Sequence, residues 1–354
     1  MVIQEHYNDL VVGTYGRGFW IMDDITPLQQ LTDEVLRSEA HLFQPRPAYR
    51  LHRKVGGPYV FPYTFINYYL KDVPEGPVKI TITDDQGRQV NTLMGSVKKG
   101  INRVYWNMRY QGAQQAKLRT KPPGNPHVVE EKRFHKQWEE QGWYPIQSWG
   151  SYGGFRGFGV YPGDYTVKMT VGEEEFVETL VVKKDPSTEG TADDIKAQVA
   201  LQMDIRRDLN AVSEMINKIE WIRKQIYDIK DMIKKSGDKS MLQALDEFDK
   251  KCRSVEDELF QPILAEGDSK SFRNPQKLYC KLSVLAEDVS KLTDFAPNKQ
   301  QLEVLAGLKE RLAVQKKRFQ DLVENDFTAI NTLLTASGLP VIFIYGGRTA
   351  ATID

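Results

Sequence analysis

The chain has 354 residues, enough for two or three domains of ordinary size. Lys plus Arg and Asp plus Glu each total 48, so the formal net charge is zero, and the chain lacks the basic field that drives general nucleic-acid binding. No apolar run approaches the roughly 18 residues of a membrane span.

Residues 1–41 open the chain. Met1 is followed by "VIQEHYNDL", which lacks the basic start and apolar core of a signal peptide. "LVVGTYGRGFWIMDD" then reads as two short strands. Val11, Val12, Phe19, Trp20 and Ile21 favour extended structure, and the glycines at 13, 16 and 18 permit the turn between them. "DDITPLQQL" leads away, with Asp24 or Thr26 placed to cap a helical turn and Pro27 at its first position. Asp23 and Asp24 read as turn and cap residues rather than as an acid pair, and Arg17 as a tie from the turn to the following acids. Two strands alone cannot bury a core.

Residues 42–186 read as a β-sandwich. "TFINYYL" (64–70), "VKITITD" (78–84), "RVYWNMRY" (103–110), "GDYTVKMTV" (163–171) and "EFVETLVVKK" (175–184) are β-rich runs. Val78, Ile80 and Ile82 alternate with Lys79, Thr81 and Thr83, and Val104, Trp106 and Met108 share one face. "DDQG" and "VGEEE" are turns. An insertion at 111–160 interrupts the strands, with a short helix expected over 129–141. Its aromatics Trp138, Trp143, Tyr144, Trp149 and Tyr152, followed by Phe155 and Phe158, suit either stacking on a glycan or packing inside the protein.

Residues 187–337 read as an antiparallel four-helix bundle. Thr191 followed by Asp193 and Asp194 starts a long helix. Ile205, Leu209, Val212, Ile216 and Ile219 form its stripe, continued by Ile222, Ile226, Ile229 and Ile233. "KKSGDKS" breaks it. Leu242, Leu245, Phe248, Cys252, Val255 and Leu259 form a second stripe that stops near Pro262. A third helix follows Asn274-Pro275, and a fourth places Leu305, Leu308, Leu312, Phe319, Leu322 and Ile330 inward. Cys252 and Cys280 lie equally far from the turn near residue 266, so they meet in a disulfide or stand as two small buried hydrophobes. Residues 338–354 form a tail or strand. The architecture expected is therefore α+β and multidomain.

"DLVVGTYGRGFWIMDDITPLQQL" resembles the closing strands of large bacterial β-propeller proteins with sortilin-like or neuraminidase-type repeats, a glycosyl-hydrolase-like family. "GINRVYWNMRY" with "GVYPGDYTVKMTV" resembles the Ig- or fibronectin-like sandwich that follows the propeller there, and "NPQKLYCKLSVLAEDVSKLTDFAPNKQQLEV" its helical tail. The Asp-box hairpins that build such propellers are missing. The resemblance implies strands that belong to a blade completed elsewhere, and an extracellular or periplasmic setting.

Nothing in the sequence supplies a catalytic constellation, a cofactor motif or a metal-ligand spacing; the five histidines are scattered. The function expected is a non-catalytic module that docks on or completes a β-propeller through residues 9–22, or self-associates through them. The alternatives are a glycoside hydrolase fragment and a carbohydrate-binding module using the aromatic loop 138–158.

Overall fold

The computed structural model describes residues 1–5, 7–51, 63–121, 142–146, 153–234, 238–263, 273–291 and 294–344. It is a mixed α+β chain with its sheets in the first half and its long helices in the second.

The chain starts with β1 (Val2–Gln4), β2 (Asp9–Thr14) and β3 (Gly18–Met22), an antiparallel three-stranded sheet with β2 in the middle. The helical turns α1 (Thr26–Gln30) and α2 (Asp33–Arg37) follow. Next come β4 (Ala40–Leu42), β5 (Ala48–Arg50), β6 (Thr64–Leu70), β7 (Val78–Thr83), β8 (Gln89–Gly95) and β9 (Gly100–Trp106). The short pair β10 (Lys117–Leu118) and β11 (Tyr144–Pro145) precedes β12 (Gly163–Val171) and β13 (Glu174–Lys184). Strands β5-β13-β12-β7-β8 form a five-stranded sheet, and β4-β6-β9 a three-stranded one.

The alternation seen in sequence decides which side of each strand is dry. Val78, Ile80 and Ile82 are fully buried while Lys79 points out. Ile66, Tyr68, Val104 and Trp106 of the three-stranded sheet meet Val78, Ile80, Tyr165, Val167 and Met169 of the five-stranded sheet in one apolar cluster. The Trp106 and Tyr165 rings lie 5.6 Å apart at its centre. The strands absent from the sequence reading are β1, β4, β5, β8 and the two-residue pair β10 and β11. Three of them are three residues long, two are two residues long, and β8 has one buried residue, so their own patterns carry little signal. Strand β5 pairs parallel with β13 through Ala48 and Val182.

Helix α3 (Ala192–Ile233) runs unbroken for 42 residues, about 63 Å at roughly 1.5 Å per residue. Thr191 and Asp194 form a capping box at its start. Every member of its predicted stripe from Ile205 to Ile233 is buried. Helices α4 (Lys239–Leu259), α5 (Leu278–Ser290) and α6 (Lys299–Asp321) pack on it, and a π-helical turn at Leu322–Phe327 joins α6 to α7 (Thr328–Ala336). The helix expected over 129–141 lies outside the described residues, as do 345–354 of the tail.

The equal spacing of Cys252 and Cys280 from a turn does not bring them into a disulfide; both are buried thiols. The helices are not symmetric about residue 266. Cys252 lies seven positions before the end of α4 at Leu259, whereas Cys280 lies two positions after the start of α5 at Leu278. Burial raises the Cys252 thiol pKa, aided by Asp249 and Glu256 nearby, so it persists as a small hydrophobe.

Ile219 sits fully buried near the middle of α3. Ile219→Ala removes packing that the rigid helix cannot close over, and is expected to cost about 2–5 kcal/mol in urea denaturation.

Candidate docking surface

The first sheet is built by short-range pairing. Leu10 faces Met22, Val11 faces Ile21 and Val12 faces Trp20, with Gly13 opposite Phe19. Gly16 and Gly18 take φ of +75° and +84°, which the turn between β2 and β3 requires and which other residues rarely adopt. On the other side of β2, Val2 faces Val11 and Ile3 faces Leu10. The third strand, β1, is thus supplied by the same chain, where the sequence showed two strands.

Directly opposed residues share a face, so the register sorts the side chains. Val2, Val11, Phe19 and Ile21 lie on one side; Ile3, Leu10, Val12, Trp20 and Met22 lie on the other. Both sides are apolar, and both are open to water. Phe19 is 82% exposed, Trp20 66%, Ile21 62% and Met22 53%. A half-covered antiparallel sheet keeps one polar face. This one keeps none, and so leaves an unusually apolar area exposed.

A polar knot fixes the sheet to the rest of the chain. Asp24, buried and with φ of +48°, receives Thr26 Oγ1 at 2.5 Å and Asn67 Nδ2 at 2.9 Å on its carboxylate. Its own N–H donates to Asp9 Oδ1 at 2.9 Å. Arg103 on β9 donates to the carbonyls of Asp23 and Asp24 at 2.8 and 2.9 Å, and to Asn67 Oδ1 at 2.9 Å. Its guanidinium also covers the Phe65 ring at 4.4 Å. Asp24 therefore works as a structural acceptor. Arg17 makes no ion pair with the described residues, so the tie expected from it to the acids is not formed there.

The described part of the aromatic insertion packs inward. Phe155 stacks on Tyr279 at 5.0 Å and Phe158 on Tyr110 at 5.1 Å. Gly112 and Gly157 allow this close seating, since a Cβ on either would meet backbone oxygen at about 2 Å. Tyr144 donates to the Thr120 carbonyl at 2.9 Å, and Lys117 Nζ lies 4.8 Å from the Trp143 ring centre. Trp138, Trp149 and Tyr152 lie outside the described residues.

Tyr144 also lines a cavity of about 330 Å³ between the insertion and helices α3 and α4, floored by Glu220, Arg223 and Glu256. This ion network was not foreseen from sequence. Glu220 accepts from the Thr120 N–H and hydroxyl, each at 2.7 Å, and from the Arg119 N–H. Arg223 donates to Glu220, Asp249 and Glu256. Burial alone would lower the Arg223 pKa, but Glu256, Glu220, Tyr227 and Asp249 together hold it above the ordinary arginine value. Burial pushes Glu256 well above the usual 4.5, against Arg223 and with the help of the Glu220 charge and hydrogen bond. No donor among the described residues reaches Glu256 Oε1, which fits a protonated carboxyl shared with Glu220. Glu220 and Arg223 thus form a clasp between α3, α4 and the 117–120 segment. Among the described residues, no group of three His, Cys, Asp or Glu side chains is placed to hold a metal ion. No helix among them is long and apolar enough to cross a membrane.

No family model matches the chain, and no curated protein matches it. A solved structure named pT26-6p has 10% identity to it, covering 75% of this chain and 49% of its own, with a TM-score of 0.16. The chain thus spans about half the length of that structure, and at this score the likeness carries no argument about fold or function.

Two measurements check the knot and the clasp. Asp24→Ala leaves the Asn67 amide without its acceptor and puts alanine at positive φ. It is expected to cost about 1–3 kcal/mol and to make residues 1–24 the first site of limited proteolysis. Glu256 is favoured neutral in the folded chain, so its contribution is fully present below about 4.5 and is lost as pH rises through the raised folded value. Glu256→Gln keeps the neutral form, so its thermal midpoint relative to wild type is expected to rise as the pH is taken from 5 upward.

Proposed function

We propose that this chain is a non-catalytic interaction module that docks on, and completes, a β-propeller of the sortilin-like type. On this reading β1–β3 are blade strands, the two sheets between residues 40 and 184 form an Ig- or fibronectin-like sandwich, and the helices from 192 to 336 form an antiparallel four-helix bundle. The last two serve as a scaffold for the first. An extracellular or periplasmic setting goes with this reading.

One observation carries the proposal: the first sheet is apolar on both faces. A sheet that merely lies on a neighbour needs one apolar face. A sheet that needs two covers belongs between two other sheets, as a blade does within a propeller. Phe19 and Trp20 together would bury roughly 300 Å², which at about 25 cal/mol per Å² is about 7.5 kcal/mol before association costs. The outer edges of β1 and β3, unpaired among the described residues, offer backbone groups for strand addition as well.

The isolated chain is expected to self-associate through this sheet, or to capture a separately produced β-propeller polypeptide, in light scattering and pull-down. Trp20→Asp with Ile21→Asp is expected to abolish both while shifting the stability of the remainder by less than about 0.5 kcal/mol, as for exposed sites. A monodisperse wild-type monomer that captures no propeller, and whose 9–22 amides resist hydrogen exchange, would refute the proposal.

A further inference from the structure

After α7 the chain turns at Gly338, and residues 341–344 lie as irregular backbone against α7 and α3. Two side-chain amides grip its backbone. Asn331 on α7 accepts from the Ile342 N–H at 2.8 Å and donates to the Ile342 carbonyl at 3.0 Å. Gln225 on α3 accepts from the Phe343 N–H at 2.9 Å and donates to the Phe343 carbonyl at 2.8 Å. Each amide thus satisfies both backbone groups of one residue, as a neighbouring strand would. Side-chain recognition centres on Ile342, with Leu339 and Ile344 half-buried against the same core. Ile342 is 1% exposed and joins the helical core, whereas Phe343 is 67% exposed.

We infer that Gln225 and Asn331 form a backbone-reading clamp, filled here by residues 341–344 of the same chain, that also takes the 341–344 segment of a second copy. The occupant follows from what is already seated: the socket fits Ile342 of this sequence, and identical segments exchange at low cost because every contact is reproduced. The grip is also small. Four hydrogen bonds, one deeply buried side chain and the half-buried Leu339 and Ile344 make a contact small enough to open locally without unfolding the helices behind it. Space for exchange lies alongside, in an open groove of about 590 Å³ on α7 lined by Phe327, Thr328, Asn331, Thr332, Thr335 and Ala336.

The test is binding in trans to the full-length chain. A fluorescein-labelled peptide of residues 338–344 (GLPVIFI) with two added lysines is titrated and followed by anisotropy. Ile342→Asp in the protein unseats the resident segment, and the peptide is expected to bind this variant at least about tenfold tighter than wild type, because the competitor is gone. Adding Asn331→Ala removes two of the peptide's hydrogen bonds and should weaken binding about tenfold. A peptide N-methylated at the Ile342 position cannot donate to Asn331 and should bind the same folded protein correspondingly worse. Both peptides are also run in excess on the wild-type chain, so the comparison stands even if Ile342→Asp proves unstable. Absence of peptide binding to both proteins, or equal binding of the methylated and parent peptides, would overturn the inference.

Discussion

Helix α3 is the element on which the rest depends, because it belongs to two cores. Ile195 and Val199 near its start lie among the side chains of the two large sheets, while Leu201 to Ile233 build the helical core. A rigid rod shared between two apolar clusters makes their relative placement a matter of packing rather than of a linker. The junction is reinforced by a buried ion pair. Arg50 at the end of β5 donates to Asp294, which also receives Thr188 Oγ1 at 2.5 Å. Arg50 further donates to Gln198 on α3 at 3.0 Å. Burial lowers the Arg50 pKa to about 10, a measure of how dry this junction is. Gly190 lies so close to Asp294 that no side chain would fit there.

The same helix carries the polar clasp. Glu220 and Arg223 reach sideways from α3 to the 117–120 segment and to α4, so the insertion between β9 and β12 is anchored at its described ends. Charges this deep add little net stability compared with apolar packing, but they penalise any other register of the helices, since a misplaced partner would leave a bare buried charge. The glycines at 112 and 157 serve the same insertion by close backbone approach. This is why a glycine- and aromatic-rich stretch that looks like a ligand loop is, in its described part, a packed joint.

Against these two well-filled cores, the first sheet stands out. It is tied to β6 and β9 by the Asp24, Asn67 and Arg103 knot yet covered on neither face. Its attachment is polar and specific, and its faces are apolar and vacant.

Local pattern determined a good deal by itself. The isoleucine stripe of α3, the Thr191 cap, the break after Ile233 and the alternation of β7 follow from periods of 3.6 and 2 that any burial of those elements must respect. Val11, Val12, Phe19, Trp20 and Ile21 were legible as strand residues from their β-branched and aromatic side chains. Tertiary structure alone decided what joins distant positions. Asp24 meets Arg103, Arg223 meets Glu256, and Gln225 meets Phe343 across separations of 79, 33 and 118 residues. Single polar residues have no period, so nothing in a linear reading marks them as partners. Strands as short as β1, β4 and β5 form only because a longer neighbour offers its edge. The cysteines show the same limit: their even spacing in sequence said nothing about the unequal depths at which two helices place them.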